Sequence, residues 1–448
     1  MGQKAWVISV SMGYGHQRTA YPLRNLAFEG KIINANDYQG IPEKDKTIWE
    51  TTRRFYEFIS RFRRAPLIGK ATFSIYDQLQ KILSFYPKRD LSKPNLALKQ
   101  IFSLLKKGWG KHLIEKLKQK PLPLISTFFT PAFMAEFFEY PSAVTGRKER
   151  TFFEYPGDIY CIICDADIAR TWAPLKPGRS KIKYFAPTTR VIERLKLYGV
   201  KSENIFLTGY PLPLENIGTG PPAGGMEILK EDLRYRLLNL DPQKRYFEKY
   251  KILIETNLGK LPEKANHPLT IMFSVGGAGA QKEIGIKIIK SLTKEIKAGE
   301  VKVILVAGIR EKVREYFEKK IKYFGLEGNK NIEILFAQRM EDYFKEFNQK
   351  LRTTDILWTK PSELSFYSAL GLPIIIAPPI GSQEEFNKRW LLKSGFGVIQ
   401  ENPNHTSQWL FDWRNQGYLA EAAMQGFVEG EKLGTFNIEK IIASKGRR

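Results

Sequence analysis

Cysteine is almost missing: Cys161 and Cys164 are the only two in 448 residues. A disulfide-stapled fold is therefore excluded, and a lone Cys-x-x-Cys cannot complete a zinc site by itself. The flanks in "DIYCIIC" are apolar, as in a strand of a buried parallel sheet, where cysteine behaves as a small hydrophobe. Both cysteines are expected to be reduced, which fits a cytoplasmic protein. Histidine is nearly as scarce, with four in the chain, so a histidine on a turn stands out. No stretch reaches the roughly 18 apolar residues that span a bilayer. The first apolar run is short and holds two serines, unlike a signal peptide, and Trp6 stands where a myristoylation signal has Ser or Thr. Permanent membrane insertion is not expected.

Acidic residues are outnumbered, 47 Asp and Glu against 71 Lys and Arg, for a net charge of +24. The excess is uneven. Between Arg53 and Lys120 there are 17 Lys and Arg against 4 Asp and Glu, which leaves +13. Such a patch attracts phosphorylated substrates, anionic lipid or nucleic acid. "RRFYEFISRFRR" interleaves aromatics with arginines, among them Arg61, Arg63 and Arg64. "LALKQIFSLLKKGWGKHLIEKLKQK" continues with Leu98, Ile101 and Leu105 on one helical face and lysines around them. Residues 53–120 read as a basic amphipathic insertion. It either docks on an anionic membrane surface or covers its domain and keeps a solvated basic face. Nucleic acid is not expected, because no recognised nucleic-acid motif accompanies the charge.

With 43% hydrophobic and 26% charged residues the chain can bury a core, and its length suits two domains of about 200 residues. Short apolar runs alternate with helical patterns: "WVISV", "KIINAN", "PLISTFF", "IYCIIC", "IKYFAP" and "NIFLTG", then "LTIMFSV", "KVILVAG", "IEILFA", "DILWT" and "PIIIAP". This alternation predicts α/β architecture with two doubly wound parallel sheets. The expected organisation is a first domain over 1–215, a Gly- and Pro-rich linker with charged helices over 216–267, and a second domain over 268–448. Ligands of such sheets bind beyond the carboxyl ends of the strands, so the natural site is a cleft between the domains.

Three stretches at strand ends carry candidate chemistry. In "SMGYGHQRTA", Gly13 and Gly15 allow backbone amides to approach a ligand, with Tyr14 between them and His16 able to act as a base near neutral pH. An ordinary tight turn with a structural histidine is the other reading. "SVGGAGAQKEIG" places Gly276, Gly277 and Gly279 where a diphosphate loop would lie. It lacks both the Gly-Lys-Ser/Thr of a Walker loop and the Gly-x-Gly-x-x-Gly of a dinucleotide fingerprint. "TKPSELSFYSALGLPIIIAPPIGSQEEFN" puts Lys360, Ser362 and Glu363 after one strand and Gln383, Glu384, Glu385 and Asn387 after the next. The latter group also reads as a solvated acidic loop.

In this order the stretches resemble the inverting two-domain glycosyltransferases of the GT-B architecture, the group of the lipid II-forming GlcNAc transferase and the diacylglycerol sugar transferases. "SMGYGHQRTA" resembles their "Gly-Gly-Gly-His" opening. "CDADIARTWAPLKPGRS…LTGYPL" resembles their segment from a strand-end Asp and a Trp to "Thr-Gly-x-Pro". "VGGAGA" matches their second glycine loop, and "TKPSELSFYSALGLP…GSQEEFN" resembles their donor-binding region. The resemblance covers both domains, is patchy in the basic insertion and is absent from the linker helices.

It implies a sugar moved from a nucleotide diphosphate, by the family's habit a UDP-sugar, to a lipid or lipid-linked acceptor, with inversion and without metal or cofactor. Gly13, Tyr14, Gly15 and His16 would line the acceptor side, and His16 or Asp165 would deprotonate the acceptor hydroxyl. Gly276, Gly277 and Gly279 would approach the diphosphate. Lys360, Ser362, Glu363, Gln383, Glu384 and Asn387 would bind the donor. The basic insertion would place the protein peripherally on a membrane.

Some positions depart from the pattern. The Glu that binds the nucleotide ribose in these enzymes is replaced by Phe366 or Ser368, depending on the direction of counting, with Glu363 a possible substitute. Ala169 stands where a His is common, and Tyr14 replaces a glycine. Two other readings follow from these departures: a non-catalytic protein of the same architecture that binds anionic lipid or glycan, and a sugar-nucleotide epimerase.

Overall fold

Short β-branched runs separated by helices fold into two six-stranded sheets in which every pairing is parallel. The computed structural model describes residues 3–51, 81–137, 155–220, 225–274, 276 and 279–445. The two doubly wound domains expected from the alternation are present. The chain divides into one unit of residues 1–211, 380–386 and 433–448 and another of 212–379 and 387–432. This division departs from the boundaries read along the sequence. The charged helices Glu227–Leu240 and Arg245–Leu258 belong to the second unit, because Leu229, Leu233, Leu237, Ile254 and Leu258 are buried. The last helix, Gly434–Lys445, returns to the first unit, where Ile438 and Ile442 join a core with Val7, Ile125, Tyr160 and Phe185.

In the first unit the strands are β1 (Ala5–Ser9), β2 (Ala27–Asn34), β3 (Leu124–Ser126), β4 (Ile159–Ile162), β5 (Lys183–Ala186) and β6 (Ile205–Leu207). Their order is β2-β1-β3-β4-β5-β6. Val7 and Ile8 are both fully buried although they point to opposite faces, as expected of a sheet covered on both sides. The chain runs from β1 outward to β2 and then back to β3, so the order reverses between β1 and β3. That is where an open α/β sheet opens a crevice at its carboxyl edge.

The second unit has β7 (Leu269–Ser274), β8 (Val301–Gly308), β9 (Ile332–Phe336), β10 (Ile356–Thr359), β11 (Ile374–Ile376) and β12 (Gly397–Ile399). Their order is β12-β11-β10-β7-β8-β9, which is the dinucleotide-binding order read from the other edge. Here the reversal lies between β7 and β10. Eleven strands coincide with apolar runs in the sequence. The twelfth, β12, lies in "SGFGVIQ", where glycines interrupt the apolar run.

Residues 53–80 of the basic insertion, with Arg61, Arg63 and Arg64, lie outside the described residues. Its remainder forms the helices Leu96–Lys106 and Lys111–Lys118. Leu98, Phe102, Leu105, Leu113, Ile114 and Leu117 are buried, whereas Lys99, Lys106 and Lys116 are exposed. The apolar stripe of Leu98 and Leu105 therefore packs inward, and this stretch covers its own unit. It turns these lysines to solvent, with Leu96 exposed at the start of the first helix.

Candidate functional site

In the first unit the site begins where β1 ends at the β1/β3 reversal. Gly13 has φ of +89°, which a side chain rarely adopts, and the helix Gly15–Ala20 follows at once. The turn is tied to the end of β2. Ser11 N–H donates to Asn36 Oδ1 at 2.8 Å, and Gln17 Nε2 donates to Ser11 Oγ and Asn34 Oδ1, both at 3.3 Å. Tyr14 is buried, 8% exposed, and forms part of the turn's packing.

His16 is half-buried, with its Nδ1 2.8 Å from the carbonyl oxygen of Thr127, just past β3. A carbonyl can only accept, so Nδ1 carries the proton. In the neutral ring Nε2 then has the lone pair, as a general base requires. Phe128 meets the imidazole edge-on at 4.8 Å, and Cys164 Sγ lies 3.5 Å from Nδ1. The main-chain carbonyl thus fixes one tautomer of the ring at the reversal point.

The loop after β4 thus reaches His16 through Cys164, and Asp165, half-buried, is the next residue. This loop is held by a buried ion pair. Asp167 accepts from Arg194 Nε and Nη2, both at 2.8 Å, and Tyr198 donates to Ile168 O at 2.7 Å. Cys161 is fully buried in β4, and burial pushes its thiol far up, so it is inert, as its apolar flanks imply.

In the second unit the glycine loop follows β7 at the β7/β10 reversal. Gly276 lies against the side chain of Lys360: a Cβ there would lie 2.5 Å from its Cε. Lys360 follows β10, so its side chain runs across the loop. Gly279 N–H donates to Gly276 O at 2.7 Å, closing the turn, and Gly279 has φ of +71°. A Cβ on Gly279 would lie 3.5 Å from Cδ of Arg310, which follows β8. Two cations thus flank the two described glycines, an arrangement suited to an anion. Gly277 lies outside the described residues. Gln281 ends the loop in the left-handed region, φ +67°, and its Nε2 donates to Pro378 O at 2.7 Å. Ser362 and Glu363 are half-buried at the start of the 3-10 helix Glu363–Leu370.

Two expected donor residues make bonds within the chain. Glu384 lies in the first turn of the helix Ser382–Ser394, and its Oε2 accepts from Ile380 N–H at 2.6 Å and Gly381 N–H at 3.3 Å. An acidic side chain there satisfies amides that the helix start leaves open, so Glu384 shapes its turn. Asn387 is fully buried and its Nδ2 donates to Pro361 O at 3.2 Å, which fixes the loop carrying Lys360 and Ser362. Phe366 packs on Trp390 at 5.1 Å, and Ser368, 0% exposed, donates to Ser365 O at 2.8 Å. Both replacements for the ribose carboxylate are therefore core residues. Gln383 is half-buried in the first turn of the same helix. Among the described residues no group of three or more His, Cys, Asp or Glu could hold a metal ion.

Sequence reasoning missed Thr127, Phe128, Gln281 and Arg310. Each follows a strand end, and that position was the available signal. Nothing local in "STFF" or "AGIREK" says which strand its neighbours belong to.

A family model described as a domain of unknown function, DUF6938, matches residues 260–350. The processive diacylglycerol beta-glucosyltransferase of Bacillus subtilis is 22% identical over 378 residues, 82% of each chain. This chain is similar to that transferase over most of both lengths. The resemblance to the diacylglycerol sugar transferases is borne out at the level of overall sequence similarity. Among solved structures, MurG of Acinetobacter baumannii has 13% identity and a TM-score of 0.47 over 98% of this chain and 99% of its own. A putative UDP-N-acetylglucosamine 2-epimerase of Listeria monocytogenes has 12% identity and a TM-score of 0.49 over 100% and 97%.

Proposed function

We propose that this protein is an inverting glycosyltransferase that moves a sugar from a nucleoside diphosphate, a UDP-sugar by family habit, to a hydroxyl of a lipid or lipid-linked acceptor. The observation that carries the reading is the 2.8 Å bond from His16 Nδ1 to Thr127 O, which leaves Nε2 to take the hydroxyl proton. The acceptor oxygen forms the new bond to the anomeric carbon as the bond to the diphosphate oxygen breaks, and the proton passes to His16. Asp165, the residue after Cys164, would assist as a second base. Gly276 and Gly279, flanked by Lys360 and Arg310, take the leaving diphosphate and stabilise its charge without requiring a metal. The B. subtilis relative, named for diacylglycerol, supports the lipid acceptor.

A thermal-shift screen against UDP, GDP, dTDP, ADP and their sugar conjugates tests this. Ligand at a hundred times its Kd stabilises the native state by about 2.7 kcal/mol, and one nucleotide family is expected to raise Tm by several degrees. No shift at millimolar concentration with lipid present would leave the non-catalytic binding protein as the better reading.

The reading includes a peripheral membrane site on the basic face. Tyr86 is 67% and Leu96 57% exposed, beside the exposed Lys93, Lys99 and Lys106. Such cations contribute about 1 kcal/mol each at an anionic surface. Reversing these three lysines to Glu is expected to weaken flotation with phosphatidylserine-containing vesicles by at least about a hundredfold, with no effect on neutral vesicles. Unchanged flotation would remove the membrane role of this face.

A further inference from the structure

Tyr210 lies past β6, 1% exposed, and its hydroxyl is 3.0 Å from Thr19 Oγ1. Thr19 has one hydroxyl proton, which it donates to Gly15 O at 2.8 Å. The tyrosine is therefore the donor to Thr19, and the chain of bonds runs Tyr210, Thr19, Gly15. Gly15 is the residue before His16 and opens a helix of six residues, too short to hold its own geometry. A glycine at that position adds backbone freedom, so the direction of the His16 side chain depends on bonds from outside the helix.

Tyr210 is itself fixed from the far end of the chain. Gly434 opens the last helix against it, and a Cβ there would overlap the Tyr210 carbonyl oxygen. Asn437 Nδ2 donates to Thr208 O at 2.8 Å. The imidazole is then set at two points: Thr127 O holds its ring, and Tyr210, through Thr19, holds its backbone.

We propose that Tyr210 is a positioning residue for His16, which rests on the reading of His16 as the acceptor base. Removing the hydroxyl frees the first helical turn and lets the imidazole drift from the acceptor oxygen. Displacements of about 1 Å at a reacting group cost as much as 10²-fold in rate.

The test compares Tyr210→Phe, Thr19→Val and Thr19→Ser. It measures kcat, KM for both substrates, the pH–rate profile and, with no substrate present, the NMR titration of the His16 imidazole. Tyr210→Phe and Thr19→Val are expected to lower kcat by about 10- to 100-fold at unchanged donor KM and to displace the His16 titration. The double variant should be no worse than either single one, because both break the same chain. Thr19→Ser keeps the hydroxyl and is expected to keep the activity. If Tyr210→Phe does not fold, the two Thr19 variants carry the same comparison.

Wild-type kcat and an unmoved His16 titration would overturn the proposal, and so would a lowered Tm with both unchanged. The NMR arm needs no turnover. If His16→Ala were fully active, the base assignment would fall, while the titration still decides whether Tyr210 controls the imidazole.

Discussion

Replacing His16 with alanine is expected to lower turnover by roughly 10²- to 10⁴-fold, the range for loss of a general base, while the protein stays folded. The side chain is half-buried and bonds a main-chain carbonyl, so its removal opens no large cavity. The loss should fall on kcat, not on donor binding, because the groups around the glycine loop belong to the second unit. The pH–rate profile gives a second reading. In the wild type the rate falls on the acid side as the imidazole takes a proton and loses its lone pair. In the variant that limb is expected to vanish or to move to the range of a carboxylate such as Asp165. Steady-state kinetics with a nucleotide-sugar found by thermal shift would check both points, and near-normal turnover would take His16 out of the mechanism.

The second large effect is expected at Gly276. Alanine there places a Cβ 2.5 Å from Lys360 Cε. Lys360 is flexible at that end, so the fold survives and the ammonium is pushed off the loop. A charge-assisted hydrogen bond contributes about 1.5–3 kcal/mol. Affinity for the nucleoside diphosphate should therefore drop by about 10- to 150-fold. Lys360→Met should cause a similar loss and combine with Gly276→Ala less than additively. Calorimetry with the diphosphate and with the bare nucleoside distinguishes this from general damage, since the nucleoside lacks the charge and should bind both variants as it binds the wild type. Equal losses for both ligands would show that Gly276 only supports the loop.

Two residues of the expected donor region, Glu384 and Asn387, make bonds within the chain that no sequence pattern announces. Glu384 and Asn387 have the chemistry to bind a sugar, but the turn they occupy has its own unmet donors and acceptors. Glu384 caps Ile380 and Gly381, and Asn387 ties down Pro361. A polar side chain at a helix start is drawn first to the amides beside it, and no local pattern separates that from a ligand contact. The leucines of the basic segment show the same limit. Their spacing fits a helix that docks outward as well as one that packs inward, and only the location of the neighbouring core decides.

The sequence by itself determined the elements. Eleven of twelve strands follow from apolar runs, and in the central ones such as β4 and β7 the run is unbroken because burial on both faces leaves no room for charge. It also determined the strand-end positions of His16, Gly276, Gly279 and Lys360, because each stands shortly after an apolar run that reads as a strand. Strand order was decided only in the tertiary structure. A strand pairs by backbone hydrogen bonds that are nearly blind to side-chain identity, so no run announces its neighbour. The reversals between β1 and β3 and between β7 and β10 come from that order. They bring His16 to the carbonyl of Thr127, 111 residues away, and lay Lys360 across Gly276.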